Sequence, residues 1–186
     1  MPSLILASRS PQRRAILTQL GIDFEVRPPE VHEVTAGTPR EVAVENASRK
    51  AESIDEPKLA VLGVDTVVCA GERMYDKPRD EREARATLEA LAGRAHTVIS
   101  GICLIEGGER RSAAASTVVE FRELDRALLD WYIASGEWRD RAGGYAIQGR
   151  GAALVRRVEG DYLNVVGLPA ATLLDVAPWL LQGFGS

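Results

Sequence analysis

The sequence is poor in cysteine. It has two in 186 residues, Cys69 and Cys103, and both fall inside apolar, strand-like runs. That spacing excludes a disulfide framework and a cysteine metal knuckle, and leaves two small buried hydrophobes. No apolar run reaches the roughly 18 residues of a membrane span. No charged-then-apolar leader opens the chain, so the expectation is a soluble, cytoplasmic protein without a membrane partner. Basic excess is also missing: Lys and Arg number 23 against 27 Asp and Glu, for a net charge of -4. A nucleic-acid polymer is therefore a poor candidate partner. There is no internal repeat, no low-complexity linker, and no Gly-Lys-Ser/Thr ending of a P-loop. What is present, 45% hydrophobic and 27% charged residues, suits a single domain over residues 1–186, able to bury its own core.

Strand and helix signals alternate along the chain. "LILA" reads as a strand. "SPQRRAILTQLG" reads as a helix, with Ser10 as cap, Pro11 in the first turn and Gly21 as stop. "FEVRPPEVHEV" is extended and broken by proline. "TPREVAVENASRKAESI" is a helix capped by Thr38, with Val42, Ala43 and Ala47 on one stripe. "LAVLGVDTVVCA" shows almost no alternation, which predicts a strand buried on both faces. "MYDKPRD" is a turn-rich return, and Asp80 with Glu83 opens the next helix, which Gly93 stops. Two strands flank Gly107-Gly108. A helix over "DRALLDWYIAS", a Gly-rich loop feeding a strand, and a closing helix "LPAATLLDVAPWLLQ", broken at Pro178, complete the reading. Interleaved helices and hairpins predict an α/β fold with a mixed sheet.

Three stretches carry chemistry. In "LASRSPQRR" a strand, a tight turn and a helix start form the parts of a phosphate cradle, with amides near Ser8 to Ser10 and Arg13 adding charge. The alternative is that Arg9, Arg13 and Arg14 point into water, since the helix dipole repels cations there. In "VLGVDTVV" Asp65 sits in an apolar strand. A carboxylate there is either paired structurally or serves as a metal ligand or general base. Glu33 and Lys50 add polar groups to flanking segments, and Lys77 stands on a proline-fixed turn able to reach a phosphate. In "SGEWRDRAGGYAIQGRGA" the amide of Gln148 has a donor and an acceptor, which suits a base edge. The alternative is a plain turn-forming loop.

Taken together, "LILASRSPQRR", "ENASRKA", "VLGVDTVV", "KP", "LAGRAHTVISG", "SGEWRDRAGGYAIQGRGA" and "EGDYLNVVGLP" resemble the Maf-like nucleoside triphosphate pyrophosphatases, in order and over nearly the whole chain. The resemblance implies an elongated mixed twisted sheet flanked by helices, with two lobes and a central cleft. It implies hydrolysis between the α and β phosphates of a nucleoside triphosphate, a divalent cation (Mg²⁺ or Mn²⁺), and a homodimer. Carried onto this sequence it makes Asp65 the proton acceptor and, with Glu33, a metal ligand. Ser8, Ser10, Arg13, Lys50 and Lys77 become phosphate-binding. Gln12, Thr66 and Gln148 become the specificity positions. Thr66 and Gln148 fit the dTTP/UTP subgroup, whereas the 7-methyl-GTP subgroup has Gln and Glu there. Gln12 stands where the dTTP/UTP pattern has an arginine. The family name also carries a second reading, a nucleotide-binding regulator of septum formation without turnover.

Overall fold

"LILA" forms β1 (Leu4–Ala7), buried at all four positions as an unbroken apolar strand covered on both faces must be. Ser10 caps α1 (Pro11–Gln19) by accepting from the Arg13 amide, and Gly21 follows the helix at φ 68°. The computed structural model describes residues 4–181. The remaining strands are β2 (Phe24–Val26), β3 (Ala60–Ala70), β4 (Arg73–Tyr75), β5 (Ala95–Glu106), β6 (Glu109–Phe121) and β7 (Val155–Glu159). The remaining helices are α2 (Pro39–Glu52), α3 (Glu81–Leu91), α4 (Arg126–Ser135), α5 (Tyr162–Val166) and α6 (Ala170–Val176). Short 3₁₀ turns lie at Ala142–Gly144, Gly149–Leu154 and Pro178–Leu181.

α2 carries the full reciprocal box, in which Thr38 Oγ1 accepts from the Glu41 amide and the Glu41 carboxylate accepts from the Thr38 amide. α3 is different. Asp80 accepts from the Glu83 amide, but the Glu83 carboxylate turns outward to the Arg79 amide at 2.9 Å. Two elements fall outside the sequence expectation. β4 is a three-residue return pairing with the end of β3, too short for alternation to register. α5 is barely one turn, held by Asp161 Oδ1 accepting from the Leu163 and Asn164 amides. The closing stretch breaks where expected. α6 ends at Val176 and Pro178 opens a 3₁₀ turn, while Gln182, the last residue of that stretch, lies outside the described residues.

The strands make one mixed sheet in the order β2-β1-β3-β5-β6-β7, with β4 on the end of β3. β2, β1 and β3 run parallel, and the rest pair antiparallel. Gly107 and Gly108, at φ 57° and 83°, make the tight β5–β6 turn. One face of the sheet is covered by α2, whose Ala43, Ala47 and Ala51 pack on odd-numbered β3 residues such as Val61 and Val67. The other face carries two larger apolar clusters. One gathers α1, α6 and the β1 end of the sheet around Leu17, Leu62 and Leu173. The other gathers α3, α4 and the β6–β7 end around Leu88, Phe121 and Tyr132. Between them the same face bears Thr66, Ser100 and Asn164, all hydrogen-bonded. These are the two lobes, and a largely buried polar seam joins them.

α2 sits unusually close to the sheet because of two glycines. A Cβ on Gly63 would lie 2.0 Å from the Ala47 carbonyl oxygen, and one on Gly101 would lie 2.3 Å from that of Ala43. Both obstacles are backbone, so only a shift of the helix relieves them. Gly63→Ala is therefore expected to lift α2 at an overpacking cost of about 1–3 kcal/mol. At about 2–4 °C per kcal/mol for a chain of this size, calorimetry should show a clear drop in Tm. A melt matching the parent's would mean that α2 is not seated this tightly.

Candidate functional site

β1 ends at Ala7, opposite Gly63, but β3 runs on. Beyond that point β3 has no parallel neighbour among the described residues, and a cavity of about 1370 Å³ opens there. This is the crevice outside the carboxyl end of a strand where open α/β sheets bind ligands. Asp65 and Thr66 are adjacent on β3 and so point to opposite faces of the sheet. Both still reach the cavity, because it wraps around the missing end of β1.

On the α2 face, Lys50 Nζ lies 2.6 Å from Asp65 Oδ1 and 2.6 Å from Glu33 Oε1. Lys50 and Asp65 are buried, while Glu33 is half exposed. A buried charge is tolerable only when paired, and here one ammonium bridges two carboxylates. Burial is the largest influence on Glu33 and raises its pKa. The Lys50 hydrogen bond and the charges of Lys50, Lys77 and Arg13 together outweigh it and hold the carboxyl below its ordinary value. Asn46 lies one helical turn before Lys50 on the same face of α2. Its amide accepts from the Val34 amide at 2.7 Å and donates to the Val34 carbonyl at 3.0 Å, tying down the segment that bears Glu33. Asn46 Nδ2 also reaches Asp65 Oδ2 at 3.4 Å. So Oδ1 of Asp65 is committed to Lys50, and Oδ2 keeps most of its accepting capacity.

On the opposite face, Arg13 is buried rather than solvated. Its Nε donates to the Gly167 carbonyl, Nη1 to Ser8 Oγ and the Val64 carbonyl, and Nη2 to Thr66 Oγ1, at 2.9–3.1 Å. Burial lowers its pKa, against the attraction of Asp65 and Glu33. Arg9 and Arg14 are exposed, so the solvated reading of this stretch holds for those two. The expected amide cradle needs correction. The Ser8 amide donates to the Leu6 carbonyl and the Ser10 amide to Ser8 Oγ, both turned inward by the tight turn. These two amides are therefore taken up by acceptors of the protein itself.

All ten residues singled out in the sequence line this one cavity: Ser8, Ser10, Gln12, Arg13, Glu33, Lys50, Asp65, Thr66, Lys77 and Gln148. Gln12 Oε1 accepts from Ser10 Oγ at 3.3 Å. Gln148 is exposed, and its side chain makes no capping bond to the 3₁₀ turn that it precedes. Sequence reasoning missed Asn46, Ser100, Asn164 and Glu137. Asn46 had a visible signal, a second polar residue on the inner stripe of α2. Ser100 and Asn164 had none, because their roles depend on cross-strand register and on the one-turn α5. Among the described residues, no three His, Cys, Asp or Glu side chains cluster as a protein metal cage. Two hard carboxylates, Asp65 and Glu33, do share the cavity. That donor set suits a Mg²⁺-type ion, which keeps several waters and takes its other ligands from substrate phosphates.

Fold and site together define an α/β protein with a carboxylate–lysine–carboxylate centre in a cleft between two lobes. The family model described as "Maf-like protein" matches residues 3–177, and the chain belongs to this family. It is 47% identical over 173 residues to a dTTP/UTP pyrophosphatase of Symbiobacterium thermophilum, covering 91% of this chain and 89% of the relative. It is 43% identical over 180 residues to a dTTP/UTP pyrophosphatase of Pyrococcus furiosus, covering 95% and 94%. A dTTP/UTP pyrophosphatase of Thermococcus gammatolerans is 44% identical over 183 residues, covering 98% and 96%. Among the described residues, no helix is long and apolar enough to cross a membrane.

Proposed function

We propose that this protein hydrolyses dTTP and UTP to the nucleoside monophosphate and pyrophosphate. The observation that carries the reading is Lys50 bridging Asp65 and Glu33 inside the cavity that also holds Thr66 and Gln148. The names of its full-length relatives agree with it. In-line attack of water on the α-phosphorus needs a base, a held triphosphate and a stabilised leaving group. Asp65 Oδ2, with only the long Asn46 contact, accepts the proton of the attacking water. Lys50 holds the carboxylate in place through Oδ1 and, with Lys77, offsets charge building on the departing pyrophosphate. A divalent ion of the Mg²⁺ or Mn²⁺ kind would be held by Asp65 and Glu33 with the substrate phosphates, and would supply Lewis acidity and a more acidic water.

The base is read by Gln148. Uracil and thymine present an N3–H donor flanked by carbonyl acceptors, and a Gln amide answers both. A Glu carboxylate only accepts, which suits the N1–H and N2–H donors of guanine. Gln148→Glu is thus expected to cost dTTP and UTP cleavage about 1–3 kcal/mol of transition-state stabilisation, and 7-methyl-GTP cleavage less. The measurement is kcat/KM for UTP over 7-methyl-GTP in parent and variant, with Mg²⁺ or Mn²⁺ present. A parent that prefers 7-methyl-GTP, or that binds nucleotides without releasing pyrophosphate, would replace this reading with one of its two competitors. An unchanged ratio would remove Gln148 from base recognition.

A further inference from the structure

Gln148 occupies the N-cap position of the 3₁₀ turn Gly149–Leu154, yet its side chain caps nothing. At that position a side-chain acceptor ordinarily bonds the amides of the second and third helical residues. Those amides, of Arg150 and Gly151, are not left bare. Glu137 Oε1 accepts from Arg150 N at 3.0 Å and Oε2 from Gly151 N at 3.1 Å. A carboxylate at a helical N-terminus is also favoured by the partial positive charge there. Glu137 does from a distance the work that the N-cap side chain would do in place.

Glu137 itself stands on a fixed corner. It follows α4, where Gly136 closes the helix in the left-handed region at φ 72°. Its own amide donates to Ser135 Oγ at 3.1 Å, and the next residue, Trp138, donates its indole N–H to the Ile133 carbonyl at 3.1 Å. On the upstream side of Gln148, the Ala146 amide donates to the hydroxyl of Tyr132, a fully buried α4 residue. Tyr145 OH and His96 Nε2 are 2.9 Å apart in the core beneath. Gln148 is therefore presented between two tethers, and both lead back to α4.

We propose that Glu137 is a specificity-positioning residue. By capping the 3₁₀ turn in place of Gln148, it keeps the Gln148 amide out of the backbone and aimed into the cavity. The inference rests on the base-reading role given to Gln148 above. It predicts coupling between the two residues, which a merely structural Glu137 would not show. Glu137→Ala should lower kcat/KM for UTP about tenfold or more, chiefly through KM, as expected when a binding group is misaligned. In a Gln148→Ala background the same change should cost less than about twofold, because the group being aimed is gone. Glu137→Gln, which keeps one acceptor, should fall between. Hydrogen exchange at the Arg150 and Gly151 amides, read without nucleotide, should accelerate in Glu137→Ala.

Losses that simply add in the double variant would overturn the positioning role. Amides that stay protected in Glu137→Ala would overturn the cap itself, whatever the activity. A parent protein that cleaves neither UTP nor dTTP refutes the proposed function instead, and the exchange measurement still decides the cap.

Discussion

Asp65→Asn should reduce pyrophosphate release from UTP by roughly 10²–10⁴, the range of a lost general base. The side chains are nearly isosteric, so the shape of the cavity is kept. What changes is the chemistry of one atom. Oδ1 of Asn still accepts from Lys50, which lies 2.6 Å from that oxygen in the parent. The position of Oδ2 becomes an NH₂ group, unable to take a proton and facing the Asn46 amide that donates to it at 3.4 Å in the parent. Lys50 then has one carboxylate, Glu33, instead of two. Breaking half of a buried ion network costs stability, but the surviving Lys50–Glu33 pair prevents an isolated buried ammonium. A folded, cooperatively melting protein with a rate near background is the expected outcome. Turnover near the parent's level would take Asp65 out of the chemistry. An unfolded variant would show that the Asp65–Lys50 pair is held for stability.

How far the sequence carries this site depends on the distance over which each role is decided. Asp65 was visible because a lone carboxylate in an unbroken apolar strand demands a partner, and its burial and its contact with Lys50 meet that demand. The hairpin at Gly107-Gly108, the caps at Ser10, Thr38 and Asp80, and the close of α4 are local events set by two to four neighbouring residues, and the structure contains them all. Glu137 was not visible. A glutamate among charged loop residues looks solvated, and only the return of the chain at Arg150 and Gly151 gives it a partner. α5 was missed because one turn has no period to detect, yet it carries the Asn164 that ties β5 to β6 through the Val98 carbonyl and Thr117 Oγ1. The direction of Arg13 was equally hidden. Nothing near Arg13 in sequence tells that its acceptor is the carbonyl of Gly167, 154 residues away.

The acceptors of Arg13 reverse the sign of an expected result. By sequence alone, Arg13→Ala removes a cation from the positive end of α1 and should stabilise the helix slightly. In the structure the guanidinium joins α1 to β3 beyond the end of β1, and to the turn between α5 and α6. Ser8 Oγ keeps the Ser10 amide and Thr66 Oγ1 keeps Ser100 Oγ, so those hydroxyls survive its loss. The carbonyls of Val64 and Gly167 lose the donors that Arg13 supplies. At about 1–3 kcal/mol for each buried unsatisfied group, the cost for the two carbonyls is about 2–6 kcal/mol. Without nucleotide, Tm should therefore fall by about 4–24 °C. KM for UTP should rise as well, because Thr66 and the α5–α6 turn are freed at the cavity wall. Arg13→Lys separates charge from geometry. It keeps one positive charge but not the planar fork that reaches four acceptors, so it should recover only part of the lost Tm. A melt that is unchanged in Arg13→Ala while KM rises would mean that the side chain faces the triphosphate and not the protein. The α1–β3–Gly167 frame would then be wrong.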